Sequence, residues 1–283
     1  MEIKKVGVVG CGIMGTGIAQ VCAQSGYQVV VSEINDALLN KGLALIGSVL
    51  TRSVDKGKLS QQDKDSILAR IKGTTNTKDF SDCDLIIEAV IENMELKRNI
   101  FAELDKICLK DTILASNTSF LSIIDISRAT SKPDKVLGMH FFNPAPAMKL
   151  LELVKSILTS EETIEIGKEF GKSIGKTTIV APDIPGFIVN RQLAPFQLGA
   201  IRMLEAGIAS KEDIDTGLTH GCNMPMGMLA LSDLVGLDTV LEIADAAFEQ
   251  TKDQAFAAPT LLRKMVAAGW LGRKSGKGFY EYK

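Results

Sequence analysis

Two residues in the middle of the chain have side chains suited to acid–base chemistry. His140 follows residues 136–139, an apolar run that predicts a strand, and Glu152 is the one charge in the apolar run 150–154. Histidine gains and loses a proton near neutral pH, which suits it to act as a general base. A carboxylate in apolar surroundings is costly unless paired, and pairing with His140 would orient the imidazole. The alternative interpretation is a capped structural histidine and an edge-strand glutamate.

A glycine-rich loop near the N-terminus has the spacing of a dinucleotide-binding turn. The motif GxGxxG follows the predicted strand of residues 5–9 and opens a helical pattern. Its members are Gly10, Cys11, Gly12, Ile13, Met14 and Gly15. The three glycines allow a tight turn, close approach of a pyrophosphate, and close helix–strand packing. The phosphates would lie at the positive end of the helix. A set of turn glycines in another fold is the alternative.

An acidic residue ends the next predicted strand. Glu33 follows Gly15 by 18 residues. At this position a carboxylate can accept hydrogen bonds from both ribose hydroxyls and would repel a 2′-phosphate. Because no arginine neighbours Glu33, the sequence favours NAD over NADP.

Further polar side chains follow another strand and begin a helix. Residues 115–119 read Ala-Ser-Asn-Thr-Ser at the end of a predicted strand, the edge at which parallel sheets bind ligands. These residues could equally cap the next helix. Asn190 is an amide inside an apolar helical stretch, where it either caps backbone groups or reaches into the cleft between two domains.

The elements that must position these residues fall into two parts. Over residues 1–183, short β-branched runs alternate with amphipathic stretches, as is typical of a mostly parallel, Rossmann-type α/β sheet. The predicted strands are residues 5–9, 28–31, 85–89, 113–115, 136–139, 151–154 and 177–181. Residues 35–72 are helical and long for one crossover, so we interpret them as a helical hairpin that projects from the sheet.

A smaller all-α domain is predicted over residues 184–283. Two prolines and a glycine within residues 182–186 mark the break, because such residues interrupt regular structure. The strand pattern stops there. The segments that read as helices are residues 187–205, 211–218, 229–250 and 260–268.

Composition excludes several classes of protein. With 283 residues and a net charge of −2, the chain has the size of about two domains and no general attraction to nucleic acid or anionic membranes. The five cysteines form no CxxC pair or zinc-spaced set, so no metal is predicted. The sequence has neither a signal-peptide pattern nor an apolar run of the ~20 residues that span a membrane. We expect a cytoplasmic protein with reduced thiols.

Five longer blocks together resemble the 3-hydroxyacyl-CoA dehydrogenase family and, within it, the bacterial enzymes of 3-hydroxybutyryl-CoA. The blocks are GCGIMGTGIAQ (10–20), ASNTS (115–119), MHFFNPAP (139–146), PGFIVNR (185–191) and GWLGRKSGKGFY (269–280). They occur in the family's order, and the resemblance runs nearly from end to end.

The resemblance implies roles for individual residues. His140 would be the general base and Glu152 its orienting partner, while Ser119 and Asn190 would hydrogen-bond the reacting oxygens of the substrate. Besides the glycine loop and Glu33, the residues expected to face NAD are Glu92, Lys97, Ser119, Asn143 and Lys274. The residues expected to meet CoA are Arg52, Lys56 and Ser119.

Several positions depart from the family pattern. Phe120 stands where the family usually has a second serine, and Met224 and Met228 replace a histidine and a proline. Because Phe120 directly follows Ser119, the preferred length of the acyl chain is left open.

The implied function is NAD-dependent, reversible oxidation of an (S)-3-hydroxyacyl-CoA, with 3-hydroxybutyryl-CoA as the expected substrate, in fatty acid or butyrate metabolism. The alternatives are a dehydrogenase of a non-CoA hydroxy acid, a dinucleotide sensor, and a non-catalytic protein like the lens crystallins that resemble this family. The apolar helical segments 229–247 and 261–266 further predict a homodimer, with the acyl-CoA as the small-molecule partner.

Overall fold

The chain divides into two compact units, one ending at Asp183 and the other beginning at Ile184. This computed structural model describes residues 2–282. The division falls in the proline- and glycine-containing segment, residues 182–186, at which the strand pattern of the sequence stops.

The first unit is built on one eight-stranded sheet. Its strands are β1 (Lys5–Val9), β2 (Gln28–Ser32), β3 (Ile71–Thr74), β4 (Leu85–Glu88), β5 (Ile113–Ser116), β6 (Val136–Phe141), β7 (Leu150–Lys155) and β8 (Thr177–Pro182). The strand order is β3-β2-β1-β4-β5-β6-β7-β8. The chain therefore leaves β1 toward one side and returns through β4 on the other. This topological switch point is where open α/β sheets bind ligands.

All neighbouring strands are parallel except β6 and β7, which pair antiparallel. The connection between them, residues 142–149, is too short for the crossover of a dozen or more residues that parallel neighbours need. The mostly parallel Rossmann-type sheet predicted from the sequence is confirmed, and β7 is its one reversal.

Six α-helices pack on this sheet. They are α1 (Ile13–Gln24), α2 (Asp36–Asp55), α3 (Gln61–Ala69), α4 (Met94–Ile107), α5 (Ile123–Ser127) and α6 (Glu161–Ser173). Side-chain oxygens cap several of them. For example, Asn35 accepts from the N–H of Leu38 at the start of α2, and Asn93 accepts from the N–H of Leu96 at the start of α4. Such caps satisfy N–H groups that have no partner within the helix.

The predicted hairpin of residues 35–72 corresponds to α2 and α3, with one correction at its end. Residues 71 and 72 belong to β3, a short edge strand. Gly57 turns the chain between the helices with φ +65°. The inner face of α2 does not project freely, since Leu39, Ile46 and Leu50 are buried in the same core as the sheet. Only the outer face and the tip of the hairpin are open to solvent.

The second unit is helical. Its helices are α7 (Val189–Glu205), α8 (Lys211–Gly221), α9 (Met228–Val235), α10 (Leu237–Thr251) and α11 (Thr260–Ala267). The sequence pattern predicted a single helix over residues 229–250, which is wrong at one point. Gly236 has φ +104°, outside the helical region, so α9 ends and α10 begins there. The separation of an α/β domain from an all-α one is confirmed.

Within residues 2–282, the structure has no helix with the length and apolarity needed to cross a membrane. In the same part of the chain, no group of three or more histidine, cysteine, aspartate or glutamate side chains could hold a metal ion.

Two glycines of α2 provide a test of the packing between the hairpin and the glycine loop. A Cβ at Gly42 would overlap the Sγ and carbonyl oxygen of Cys11, whereas a Cβ at Gly47 would meet nothing within 4 Å. We expect Gly42→Ala to lower the free energy of unfolding by about 1–3 kcal/mol through overpacking. Gly47→Ala should raise it by roughly 0.5–1 kcal/mol, because alanine favours the helix.

Urea unfolding followed by circular dichroism measures both changes. Two alanine variants of equal stability would contradict the close contact between α2 and the loop.

Candidate active site

The central feature of the site is a histidine–carboxylate pair inside the sheet. His140 on β6 and Glu152 on β7 are directly opposite each other in the antiparallel register, so their side chains share one face. The His140 Nδ1 and the Glu152 Oε2 are 2.7 Å apart. Glu152 is fully buried and His140 is 4% exposed. The pairing predicted from the two apolar runs is present.

The pair defines which ring nitrogen can accept a proton. A carboxylate only accepts hydrogen bonds, so Nδ1 of His140 carries the proton that it donates to Glu152. In the neutral imidazole the lone pair is then on Nε2. The ring of Phe142 packs against the imidazole with centroids 4.5 Å apart, which restricts its rotation. The arrangement can therefore take up and return a proton at Nε2.

The glycine loop between β1 and α1 has the geometry that a dinucleotide requires. Gly10 has φ +98°, a conformation that strongly favours glycine. A Cβ at Gly15 would overlap the carbonyl oxygen of Gly10, while at Gly12 it would enter open space. The space beside Gly12 is thus a cradle at the N-terminus of α1, where the first N–H groups of a helix have no intrahelical partner.

Glu33 lies beside this loop at the end of β2. Its Oε2 accepts from the backbone N–H of Cys11 at 3.0 Å, and its Oε1 accepts from that of Ile34 at 2.8 Å. The carboxylate is therefore oriented by backbone donors. Burial, and then the charge of Glu33, raises the pKa of the Cys11 thiol to about 11, so Cys11 remains neutral at pH 7 and adds no charge to the loop.

A cleft of about 520 Å³ runs along the ends of β1, β2 and β4. Gly10, Gly12 and Glu33 line it. Ile34 and Ile91 also line it, although 83% and 73% of their surfaces are exposed. Covering exposed apolar side chains with a flat ring is favourable, because it removes apolar surface from water. The described residues of this unit therefore fit a dinucleotide: glycines for the phosphates, an acid for the ribose and apolar walls for a base.

Ser119 lies in a loop held from two sides. Its backbone N–H donates to Glu92 Oε1 at 2.7 Å. Asn117, two residues earlier, accepts at Oδ1 from the N–H of Phe141 at 2.9 Å. Because Phe141 follows His140, this bond ties the Ser119 loop to the strand that carries the imidazole.

Asn143 lies exposed in the connection between β6 and β7. The sequence analysis did not single out Lys176, which holds this connection. Its Nζ donates to the carbonyl oxygens of Ala145 at 2.6 Å and Met148 at 2.7 Å. Burial lowers the pKa of Lys176.

Glu92 and Lys97, both expected near the cofactor, belong to one ionic network. Lys97 is fully buried, and its Nζ lies 2.7 Å from Glu88 Oε1 and 3.5 Å from Glu92 Oε2. Lys97 therefore acts on a ligand through the groups that it contacts, which are Glu88, Glu92 and the carbonyl oxygen of Val90. Sequence reasoning missed Glu88, although a carboxylate that ends the apolar strand β4 is the same signal that singled out Glu33.

The basic residues of the hairpin lie apart from this centre. Arg52, in the last turn of α2, and Lys56, which caps that helix, are both exposed. Neither forms an ion pair with a carboxylate among residues 2–282. Their charges are available to an anionic ligand.

The remaining predicted residues lie in the second unit. Asn190 is half-buried in the first turn of α7. Lys274 donates to Asp238 Oδ2 at 2.5 Å. Burial opposes the charge of Asp238, but bonds from Lys274 and the N–H of Thr239 hold the pKa of this carboxyl below its usual value. Met228 is part of this unit's core, and Met224 packs against the same core.

Comparison with known proteins identifies the family. Residues 5–184 match the family model of the 3-hydroxyacyl-CoA dehydrogenase NAD-binding domain, and residues 186–282 match that of its C-terminal domain. The chain belongs to the 3-hydroxyacyl-CoA dehydrogenase family. Similarity to a 3-hydroxybutyryl-CoA dehydrogenase of Mycobacterium tuberculosis extends over 282 residues, with 47% identity and 99% of each chain covered.

Solved structures of the family have the same fold. The (S)-3-hydroxybutyryl-CoA dehydrogenase of Ralstonia eutropha superposes with a TM-score of 0.97 at 45% identity, covering all of both chains. A diketoreductase is also similar, with a TM-score of 0.86 at 29% identity over the full length of both chains. The fold of this family is thus compatible with more than one carbonyl substrate.

Proposed function

We propose that this chain catalyses the reversible, NAD-dependent oxidation of (S)-3-hydroxyacyl-CoA to 3-ketoacyl-CoA, with 3-hydroxybutyryl-CoA as a substrate. The observation that carries the proposal is the buried pair of His140 and Glu152, 2.7 Å apart. It supports a general base, because the carboxylate holds the ring in one tautomer and stabilises the imidazolium that forms on proton uptake. Family membership supports the substrate class.

In this mechanism His140 Nε2 takes the proton of the C3 hydroxyl as the alcohol becomes a ketone. Bound NAD supplies the acceptor for the hydride that leaves C3. In the reverse direction the imidazolium returns its proton to the forming alkoxide. We assign Ser119 and Asn190 to hydrogen bonds with the substrate's reacting oxygens, as the family resemblance implies.

NAD rather than NADP is the proposed cofactor. The backbone N–H groups of Cys11 and Ile34 hold the Glu33 carboxylate at the end of β2, where it would repel a 2′-phosphate. The phosphates would meet the glycine loop, Gly10 to Gly15. We assign Glu92, Asn143 and Lys274 to the same cofactor, and Lys97 to a supporting position behind Glu92.

The hairpin is proposed to bind the CoA part of the substrate. Arg52 and Lys56 are exposed cations on a chain whose net charge is −2, so they form a local site for phosphate groups. A non-CoA hydroxy acid, the second candidate, would make no use of these charges. The free thiols among the described cysteines support a reducing compartment such as the cytoplasm.

Loss of NADH absorbance after addition of acetoacetyl-CoA tests the function directly. We expect rapid loss with NADH, and little with NADPH or with free acetoacetate. His140→Gln should lower kcat by about 10²–10⁴-fold, the usual contribution of a positioned acid–base group. Glu152→Gln should also lower kcat, because its amide can favour the wrong tautomer of the ring.

His220→Gln is the matched control, because His220 is the exposed second histidine and its Nδ1 lies 2.9 Å from the hydroxyl of the neighbouring Thr219. Near-normal turnover by His140→Gln would show that the general base is elsewhere. Tight NADH binding without turnover of any 3-ketoacyl-CoA would favour a sensor or a crystallin-like protein.

Charge reversal at the hairpin tests whether it binds the CoA part of the substrate. Lys56→Glu should raise KM for acetoacetyl-CoA by roughly 2- to 30-fold, since an exposed ionic contact contributes about 0.2–1 kcal/mol and reversal adds repulsion. The KM for NADH should hardly change, and the effect should weaken with added salt. Lys172→Glu, the same change on the exposed end of α6, is the control. Equal effects on both KM values would remove the CoA assignment.

We also propose that the chain forms a homodimer. Residues 229–247 and 261–266 contribute mainly to the second unit's own core. The exposed apolar side chains of the second unit include Phe196, Met203 and Ile208, on and after α7, at 41%, 40% and 68%, and Leu234 and Val235, at the end of α9, at 48% and 40%. An apolar surface of this kind supports association with another protein surface.

Sedimentation velocity should give the mass of a dimer for the native chain and of a monomer for Phe196→Glu. Ile157→Glu, at a 90% exposed position in the first unit, should leave the dimer intact. A monomeric native chain at micromolar concentration would contradict the proposal.

A further inference from the structure

A buried glutamate behind the site has more partners than a packing role needs. Glu88 is the last residue of β4 and is fully buried, as is Lys97 on α4. Its Oε1 accepts from Lys97 Nζ at 2.7 Å and from the N–H of Val90 at 2.7 Å. Its Oε2 accepts from Ser116 Oγ at 2.7 Å. Both oxygens are engaged, which a charge at this depth requires.

The same lysine continues the network toward the surface. Lys97 Nζ lies 3.5 Å from Glu92 Oε2, a carboxylate that is partly exposed. Two negative charges therefore share one buried positive charge. The shorter contact to Glu88 holds the ammonium on the inner side and keeps it from closing on Glu92.

Glu92 uses its other oxygen to hold the Ser119 loop. Its Oε1 accepts from the Ser119 N–H at 2.7 Å and from Thr118 Oγ1 at 3.1 Å. Thr118 Oγ1 in turn accepts from the N–H of Leu121 at 2.9 Å. The conformation of this loop thus depends on where Glu92 points.

The backbone of Glu88 also touches this loop. Its carbonyl oxygen accepts from the N–H of Asn117 at 2.7 Å, and Asn117 Oδ1 accepts from the N–H of Phe141 beside His140. The main chain of Glu88 therefore bonds to one end of the segment 117–119, and its side chain is linked to the other end through Lys97 and Glu92.

We propose that Glu88 is a positioning residue that sets Ser119 against His140, acting through Lys97 and Glu92. The proposal rests on the function assigned above to Ser119 and His140. Without the charge of Glu88, the ammonium of Lys97 is drawn to Glu92, and Glu92 then loses its bond to the Ser119 N–H. The loop loosens, while the His140–Glu152 pair is left unchanged.

Glu88→Gln tests this with little change of shape, because the amide can still bond to Val90 or Ser116. We expect kcat/KM for acetoacetyl-CoA to fall about 10- to 100-fold, the range caused by small displacements of a positioning group. The control is Thr112→Val, which removes another buried bond of the same sheet, from Thr112 Oγ1 to the carbonyl of Cys83 at 2.8 Å. It should affect stability but not kcat/KM.

A double-mutant cycle separates positioning from a general structural defect. If Glu88 acts through Ser119, then Glu88→Gln in a Ser119→Ala background should cost less than threefold beyond Ser119→Ala alone. Additive losses would overturn the proposal. Both losses are compared at saturating NADH, because Glu92 is also assigned to the cofactor.

Hydrogen exchange gives a readout that needs no activity, so it separates this proposal from the proposed function. Amides of residues 117–122 should exchange faster in Glu88→Gln than in the native chain, and at the native rate in Thr112→Val. Unchanged exchange in Glu88→Gln would refute the positioning role even if the native chain turned over acetoacetyl-CoA. If the native chain proved inactive but Glu88→Gln still exchanged faster than it, the hydrogen-bond network would be supported and the substrate assignment would be wrong.

Discussion

Glu152 is a charged group in the interior of a sheet, and such a group is tolerated only where a partner of the right chemistry lies against it. The antiparallel pairing of β6 and β7 provides that partner by placing His140 directly opposite. A slip of one residue would turn one side chain to the other face of the sheet. The strand register, the tautomer of the imidazole and the identity of the basic nitrogen are thus fixed by one contact. The contact between His140 and Glu152 therefore depends on the antiparallel direction of β7.

Three carboxylates illustrate how the partner decides what a buried or half-buried acid can do. Glu33 is held by backbone N–H groups. These donors carry no charge that would neutralise the carboxylate, so it stays a fixed anion suited to ribose hydroxyls. Glu88 is held by a lysine, which fixes both charges and transmits position. Glu152 is held by a histidine, the one partner of the three that exchanges protons near neutral pH. In the proposed function, the same residue type would thus serve recognition, positioning and proton transfer.

Features that depend on local sequence could be predicted, and features that depend on packing could not. The strand, glycines, helix and acid of the cofactor loop lie within residues 5–33, so their order alone specifies the turn. Strand β3 was missed because it is four residues long and contains Lys72 and Gly73, with no alternating pattern. Gly236 interrupts an otherwise continuous apolar periodicity. Glu88 ends an apolar strand as Glu33 does, but its partner could not be predicted, because the ammonium of Lys97 reaches it only when α4 packs beside β4.

A fold shared by enzymes of different carbonyl substrates cannot by itself specify a CoA ester. In this chain the two faces of α2 in the hairpin separate what the fold requires from what binding of a CoA ester would require. The inner face of α2 is part of the sheet's core through Ile46 and Leu50, so it cannot vary without cost to the fold. Its exposed end, with Arg52 and Lys56, contributes little to stability, because exposed charges interact weakly there. If the tip of the hairpin binds CoA as proposed, substrate recognition can change there while the His140–Glu152 pair, held by the register of β6 and β7, stays as it is.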